Sequence, residues 1–204
     1  MKKIRMMKKI ALILMCLFVG LMAEAQDATK ILDNSAATLR AAGNVKIGFT
    51  MEVDGGASTG YIKLQRQKFV INMGGTITWF DGKTMWTYMK KNDEVNVSNP
   101  TESQLAAINP YNFIYLYKNG YTYKMDKGRN SYTVHLTATD KKKNIQEMYI
   151  TVLQKGYIPT QIRMKQSKGW TTIDISQFKA TAQSDNLFRF NSKDYPQAEV
   201  IDLR

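Results

Sequence analysis

The sequence predicts a mainly β chain of the α+β class, with roughly ten or eleven antiparallel strands, one N-terminal helix and a helical insertion near its middle. Three observations lead there. Short runs in which apolar and polar residues alternate recur from Val45 to Ala180, and a period of two belongs to a strand with one buried face. Glycine-bearing turn pairs separate those runs, above all Gly74-Gly75 and Asp81-Gly82 within the stretch 60–88. Such pairs supply the positive φ that tight hairpins demand. A helical period shows in few places. A sheet of that size has to curl or close to manage its edges, and its inward face has to be filled by its own helices or by a guest.

Taken in order, Met1 to Ala25 has the three parts of a cleaved export signal. Lys2, Lys3, Arg5, Lys8 and Lys9 form the positive start, Ile10 to Met22 the apolar middle, and Ala23-Glu24-Ala25 the cleavage site. The apolar run falls short of the roughly 20 residues a spanning helix needs. Gln26 to Arg204 is then one domain. Asp27 to Ala42 reads as a helix, with Ile31, Leu32, Ser35, Ala36, Leu39 and Ala42 on one stripe and Gly43-Asn44 as its stop. Val45 to Val53 alternates as a half-buried strand, and Asp54-Gly55-Gly56 turns it. Strands follow over 58–66, 68–73, 76–81, 84–90 and 93–98. Asn99-Pro100-Thr101-Glu102 opens a short helix through Ile108, with proline at the first helical position. Asn109-Pro110 restarts a helix signal that runs over Tyr111 to Lys118 and stops at Gly120. The alternation of Tyr111, Phe113, Tyr115 and Tyr117 leaves a strand as the alternative there. Strands return over 121–126, 131–139, 145–154, 158–167 and 170–180, and Phe188 with Phe190 marks a last short strand before an extended tail.

The chain carries a formal net charge of +12, and 24 basic against 16 acidic residues remain, +8, once the export signal is removed. A basic exported protein meets anionic headgroups or acidic partners, or merely has a solvated basic surface; Lys141-Lys142-Lys143-Asn144 reads as such a turn. Nucleic acid is not an expected partner outside the cytoplasm. The single cysteine, Cys16, lies in the export signal, so disulfide and thiol chemistry are excluded from the rest. His135 is the one histidine and falls on the polar side of its run, with Thr133 and Thr137. One histidine without cysteine does not make the usual zinc site. No serine elbow, phosphate loop or calcium loop is present, and no enzyme or cofactor is implied.

What remains is apolar inventory. Met51, Met73, Met85, Met89, Met125, Met148 and Met164 are spread over different strands, among tryptophans and many tyrosines. Methionine suits ordinary cores, and it also suits surfaces that fit variable apolar cargo. Acyl chains are natural guests, because each buried CH₂ contributes about 0.8 kcal/mol. The same arithmetic makes release difficult, so a carrier needs a cover that competes with its guest.

At several places the residues resemble a known family. Asp81-Gly82-Lys83-Thr84-Met85-Trp86-Thr87-Tyr88 is similar to the D-G-K-x-L-W-x-Y segment of the periplasmic outer-membrane lipoprotein carriers, the LolA-like family. Gly60 to Phe69 resembles that family's strand ending in Arg-Pro before a phenylalanine, with Gln67 standing in place of the proline. Asn109-Pro110-Tyr111-Asn112-Phe113-Ile114 looks like its lid helix, and Phe188-Arg189-Phe190 with Val200-Ile201-Asp202 like its ending. The match points to a divergent member of the kind found in Bacteroidetes. The resemblance implies an unclosed antiparallel β-barrel of about eleven strands with an N-terminal helix and a short helical lid. It also implies a cavity for lipoprotein acyl chains, expected to be lined by Val45, Ile47, Phe49, Ile62, Leu64, Phe69, Ile71, Met73, Trp86 and Phe113. In the family an arginine matching Arg66 latches the closed lid through main-chain carbonyls; here the receivers would be Leu39 and Ile114 or Tyr115. Expected partners are acylated lipoproteins, an inner-membrane release complex, and an outer-membrane acceptor or that membrane itself. The expected state is a monomer in the periplasm of a Gram-negative bacterium. A sensor on the same scaffold, or a carrier of another amphiphile, is the alternative.

Overall fold

The computed structural model describes residues 27–102, 104–105 and 117–204. One helix, α1 (27–42), precedes a single twelve-stranded sheet. Its strands are β1 (Asn44–Val53), β2 (Gly56–Gln65), β3 (Lys68–Met73), β4 (Thr76–Phe80), β5 (Met85–Met89) and β6 (Glu94–Ser98). After the middle segment come β7 (Tyr121–Lys127), β8 (Ser131–Ala138), β9 (Glu147–Leu153), β10 (Pro159–Gln166), β11 (Gly169–Ala180) and β12 (Glu199–Asp202). The spatial order is β12-β6-β5-β4-β3-β2-β1-β11-β10-β9-β8-β7. Two antiparallel meanders are thus joined through the β1–β11 pair, and the two ends of the sheet, β12 and β7, do not meet. The predicted unclosed antiparallel architecture is what the molecule has.

The turns follow the sequence signals with two differences. Asp54-Gly55 and Gly74-Gly75 take positive φ at both central positions, as two-residue hairpins with this twist require. Asp81-Gly82 does not: only Gly82 has positive φ (102°). Asp81 instead folds a four-residue loop by accepting hydrogen bonds from the backbone N–H of Lys83 (3.0 Å) and Thr84 (2.9 Å) through its side chain. Arg66, predicted to end a strand, sits in the β2–β3 turn with φ 54°.

Three other expectations are corrected. Pro100 is not the first helical residue; Thr101 caps a helix beginning at Glu102, because its hydroxyl and the Gln104 side chain form a reciprocal capping box. Phe188 and Phe190 do not form a strand. Asp185–Phe188 is a 3₁₀ turn that buries Phe188 completely. The twelfth strand is Glu199–Asp202, which pairs parallel to β6 because the chain has crossed the sheet before reaching that edge. Residues 106–116, including Phe113, Ile114 and Tyr115, lie outside the described residues, as does the export signal.

Register assigns every strand residue to one of two faces. On the inner face, α1 lies across both meanders. Its Ala28, Ile31 and Leu32 pack with Val134, Leu136, Met148, Ile150 and Met164. Its Leu39 packs with Val45, Ile47, Leu64, Phe69 and Phe80. A helix of that length (about 1.5 Å per residue) reaches both halves of so wide a sheet only if the sheet curls around it. A β-bulge between Gly48 and Phe49 supplies local curvature at the junction of the meanders. On the outer face, the segment after β11 returns over β3–β5 and buries Phe188 against Val70 and Trp79.

Candidate functional site on the inner face

The pairing places Phe49, Gly60 and Met73 in one row, Ile47, Ile62 and Ile71 in the next, and Val45, Leu64 and Phe69 in a third. These rows belong to the inner face, so nearly all the predicted cavity residues are brought together. Val45, Ile47, Leu64 and Phe69 are buried beneath α1 beside the predicted latch receiver Leu39. Ile62 and Ile71 are half-buried against them. Phe49 is buried over Gly60, where an added Cβ would stand 2.9 Å from the ring and 2.4 Å from the Asn72 carbonyl. Glycine is required there for the ring to lie across the neighbouring strand.

Trp86 is the exception. It pairs with Trp79 and Val97, one residue out of phase with Met85, and so falls on the outer face in the cluster with Val70 and Phe188. A one-residue error of phase moves a strand residue to the opposite face. The tryptophan of the D-G-K segment is therefore excluded from the inner face by register.

All seven methionines of the described strands lie on the inner face: Met51, Met73, Met85, Met89, Met125, Met148 and Met164. Met148 and Met164 are buried, and the other five remain half-buried. With Ile62, Ile71, Ile162, Ile173 and Ile175 they make an apolar band that α1 covers only in part. The outer face, by contrast, carries lysine, threonine and aromatic residues. Ile173 and Ile175 were not singled out in the sequence, although the alternation in Thr172-Ile173-Asp174-Ile175 carried the signal.

The described residues on either side of 106–116 are anchored. On the N-terminal side the Thr84 hydroxyl donates to Asn99 Oδ1 (3.0 Å), and the Thr101–Gln104 box follows. Leu105 already packs on the Phe69–Phe80 cluster. On the C-terminal side Tyr117 is buried and donates to Asp33 of α1 (2.6 Å), while Tyr123 donates to the Tyr117 carbonyl. Burial, reinforced by the Asp33 bond, raises the Tyr117 phenol far above its ordinary value and keeps it a neutral donor. Neither anchor was anticipated, although Thr-x-x-Gln was readable as a capping box.

Arg66 is exposed, and it shares a groove of about 740 Å³ with Ala42, Gly43 and Asn44 at the end of α1. Arg66 thus lies on the same groove as the helix end that a latch would use. At the D-G-K loop, burial opposes the charge of Asp81, but the Thr84 and Lys83 N–H groups and the Arg189 guanidinium (3.0 Å) outweigh it and hold the carboxyl below its usual range. Asp81 therefore also ties down the returning C-terminal segment. His135 stacks on Tyr149 and contacts Glu147 on the outer face. Among the described residues no group of acidic, histidine or cysteine side chains is arranged to hold a metal ion, and no helix is long and apolar enough to cross a membrane.

The sequence model of the family described as outer membrane lipoprotein carrier protein LolA matches residues 19–168, most of the chain. The protein belongs to that family. No curated protein matches it. Among solved structures, an uncharacterized conserved protein from Thermus thermophilus is similar with TM-score 0.60 at 12% identity, covering 86% of this chain and 99% of that one; this likeness is one of fold. A LolA superfamily protein from Nitrosomonas europaea (TM-score 0.42, 12% identity, 80% and 97% covered) is a more distant match. So is a putative outer membrane lipoprotein-sorting protein domain from Vibrio parahaemolyticus (TM-score 0.42, 13% identity, 79% and 97% covered).

Proposed function

We propose that this protein is a periplasmic chaperone that takes up the acyl chains of lipoproteins on its inner face and carries them from the inner to the outer membrane. The observation that carries the reading is the segregation of every methionine of the described strands to the face that α1 covers. Flexible, polarizable side chains adapt to chains of variable length and number, and family membership supplies the class of cargo. Uptake is non-covalent. Each methylene transferred to the face contributes about 0.8 kcal/mol, so part of one chain offsets the loss of α1 or lid contacts. The export signal over residues 1–25, the single domain over 26–204, an inner-membrane complex that loads the carrier and an acceptor at the outer membrane belong to this reading.

Purified protein is expected to bind an acylated lipoprotein and not its unacylated form, and its depletion to leave several lipoproteins at the inner membrane. Binding of both forms alike would remove the acyl site. Acyl binding with correct sorting after depletion would instead favour a lipid-responsive sensor.

A further inference from the structure

The outer face carries a second cavity, of about 970 Å³, between the sheet and the returning C-terminal segment, a size usual for small-ligand sites. Its floor has an unusual charge arrangement. Lys46 of β1 stands directly opposite Lys63 of β2 and, on its other side, opposite Lys179 of β11. Like charges set abreast on one sheet face repel. Among the described residues no carboxylate lies within 4.0 Å of any of the three, although Lys68, Lys118 and Lys165 each have one. Lys46 and Lys63 instead flank one ring, with their ammonium groups 5.3 and 5.4 Å from the centroid of Tyr61. Both lysines are half-buried and both line the cavity.

The remaining lining divides into an apolar part and a polar rim. Ile77, Trp79 and Tyr195 continue the surface from Tyr61. Arg189 also lines it, but its charge is already met by Asp81. Asp194, the acidic member, accepts from Asn191 (3.1 Å). At the sheet end, Gln183 donates to the Val45 carbonyl (3.1 Å), which leaves its Oε1 buried with no donor. Two ammonium groups with no carboxylate partner, set beside an aromatic wall, describe one kind of guest.

We propose that this outer cavity binds the anionic head group of an amphiphile, a phosphate-class anion joined to an apolar body. Lys46 and Lys63 take the anion, while Tyr61, Ile77 and Tyr195 take the adjoining apolar part. The site is separated by the sheet from the acyl-binding face, so the two are testable apart.

The probe is phenyl phosphate, which has the anion and an apolar body but no acyl chain, titrated by calorimetry against inorganic phosphate and phenol. Phenyl phosphate is expected to bind at least tenfold more tightly than either fragment. The Lys46→Gln/Lys63→Gln double variant is expected to lose at least tenfold in affinity, and Lys46→Arg/Lys63→Arg to retain it. Lys124→Gln/Lys127→Gln, the same charge change on β7, should leave binding unchanged. Removing the opposed lysine charges should leave the thermal midpoint of the first variant at or above that of the parent, so loss of fold will not imitate loss of binding. Equal affinity for phenyl phosphate and inorganic phosphate overturns the amphiphile assignment. Equal losses in the two glutamine doubles, or no binding to the parent at about 10 mM probe, overturn the site.

Discussion

At the scale of single residues, two side chains sit in surroundings that their type alone did not reveal. Arg66 occupies a left-handed backbone conformation in a two-residue turn, where glycine would be easier by about 1 kcal/mol. It stands at the end of α1. If it latches the cover, Arg66→Leu should bind acylated cargo yet hand it over poorly, and Arg66→Gly should fail in the same way while unfolding within about 1 kcal/mol of the parent. Normal transfer by both variants would contradict the latch. Asp81 is held below the ordinary carboxylate range against the cost of its burial. A depressed carboxyl contributes stability above its unfolded value, and that contribution is lost as pH falls through the folded value. Asp81→Asn should therefore be less stable than the parent at about pH 7, and the gap should close as both are acidified. A constant gap in urea unfolding down to about pH 2 would show that the charge contributes nothing.

At the scale of elements, the chain is anchored on either side of residues 106–116: before them by the Thr101–Gln104 box, after them by Tyr117 on Asp33 of α1. Under the proposed carrier function a cover has to open, and Tyr117 ties the chain that follows residue 116 to the helix that shields the inner face. Tyr117→Phe keeps the buried ring and removes one hydrogen bond to a carboxylate, about 1.5–3 kcal/mol. The variant should unfold at lower denaturant and take up acyl probes faster, because the closed state loses a contact that the loaded state need not keep. Slower or unchanged uptake would place Tyr117 outside the opening step. Much of this level was legible. Alternation located eleven strands because half-buried strands print a period of two. The twelfth was misplaced because Phe188 and Phe190 copy that period by chance of spacing, while Glu199–Asp202 is defined by a parallel neighbour far away in sequence. Asp-Gly misled in a smaller way: the pair signals a turn, but a side-chain cap served here where a hairpin dihedral was expected.

At the scale of the whole molecule, function depends on which face each residue serves, and that was the least legible property. The inner-face residues Val45, Ile47, Ile62 and Phe69 were readable because hydrophobic alternation and α1 agree on one side. Trp86 was not, because both faces of β5 are apolar: Met85, Thr87 and Met89 point one way, Trp86 and Tyr88 the other. The returning C-terminal segment gives the outer face its own core, so hydrophobicity alone does not tell the inner face from the outer. Register does. The sheet thus separates a methionine-lined inner side from an aromatic and basic outer side.

Photocrosslinking with benzoylphenylalanine placed at position 73 and, separately, at position 86 tests that separation directly in cells, since the two side chains project from opposite faces of one meander, on β3 and β5. The account predicts lipoprotein adducts from position 73 that depend on acylation, and none from position 86. Adducts from position 86 alone, or from both positions regardless of acylation, would contradict it.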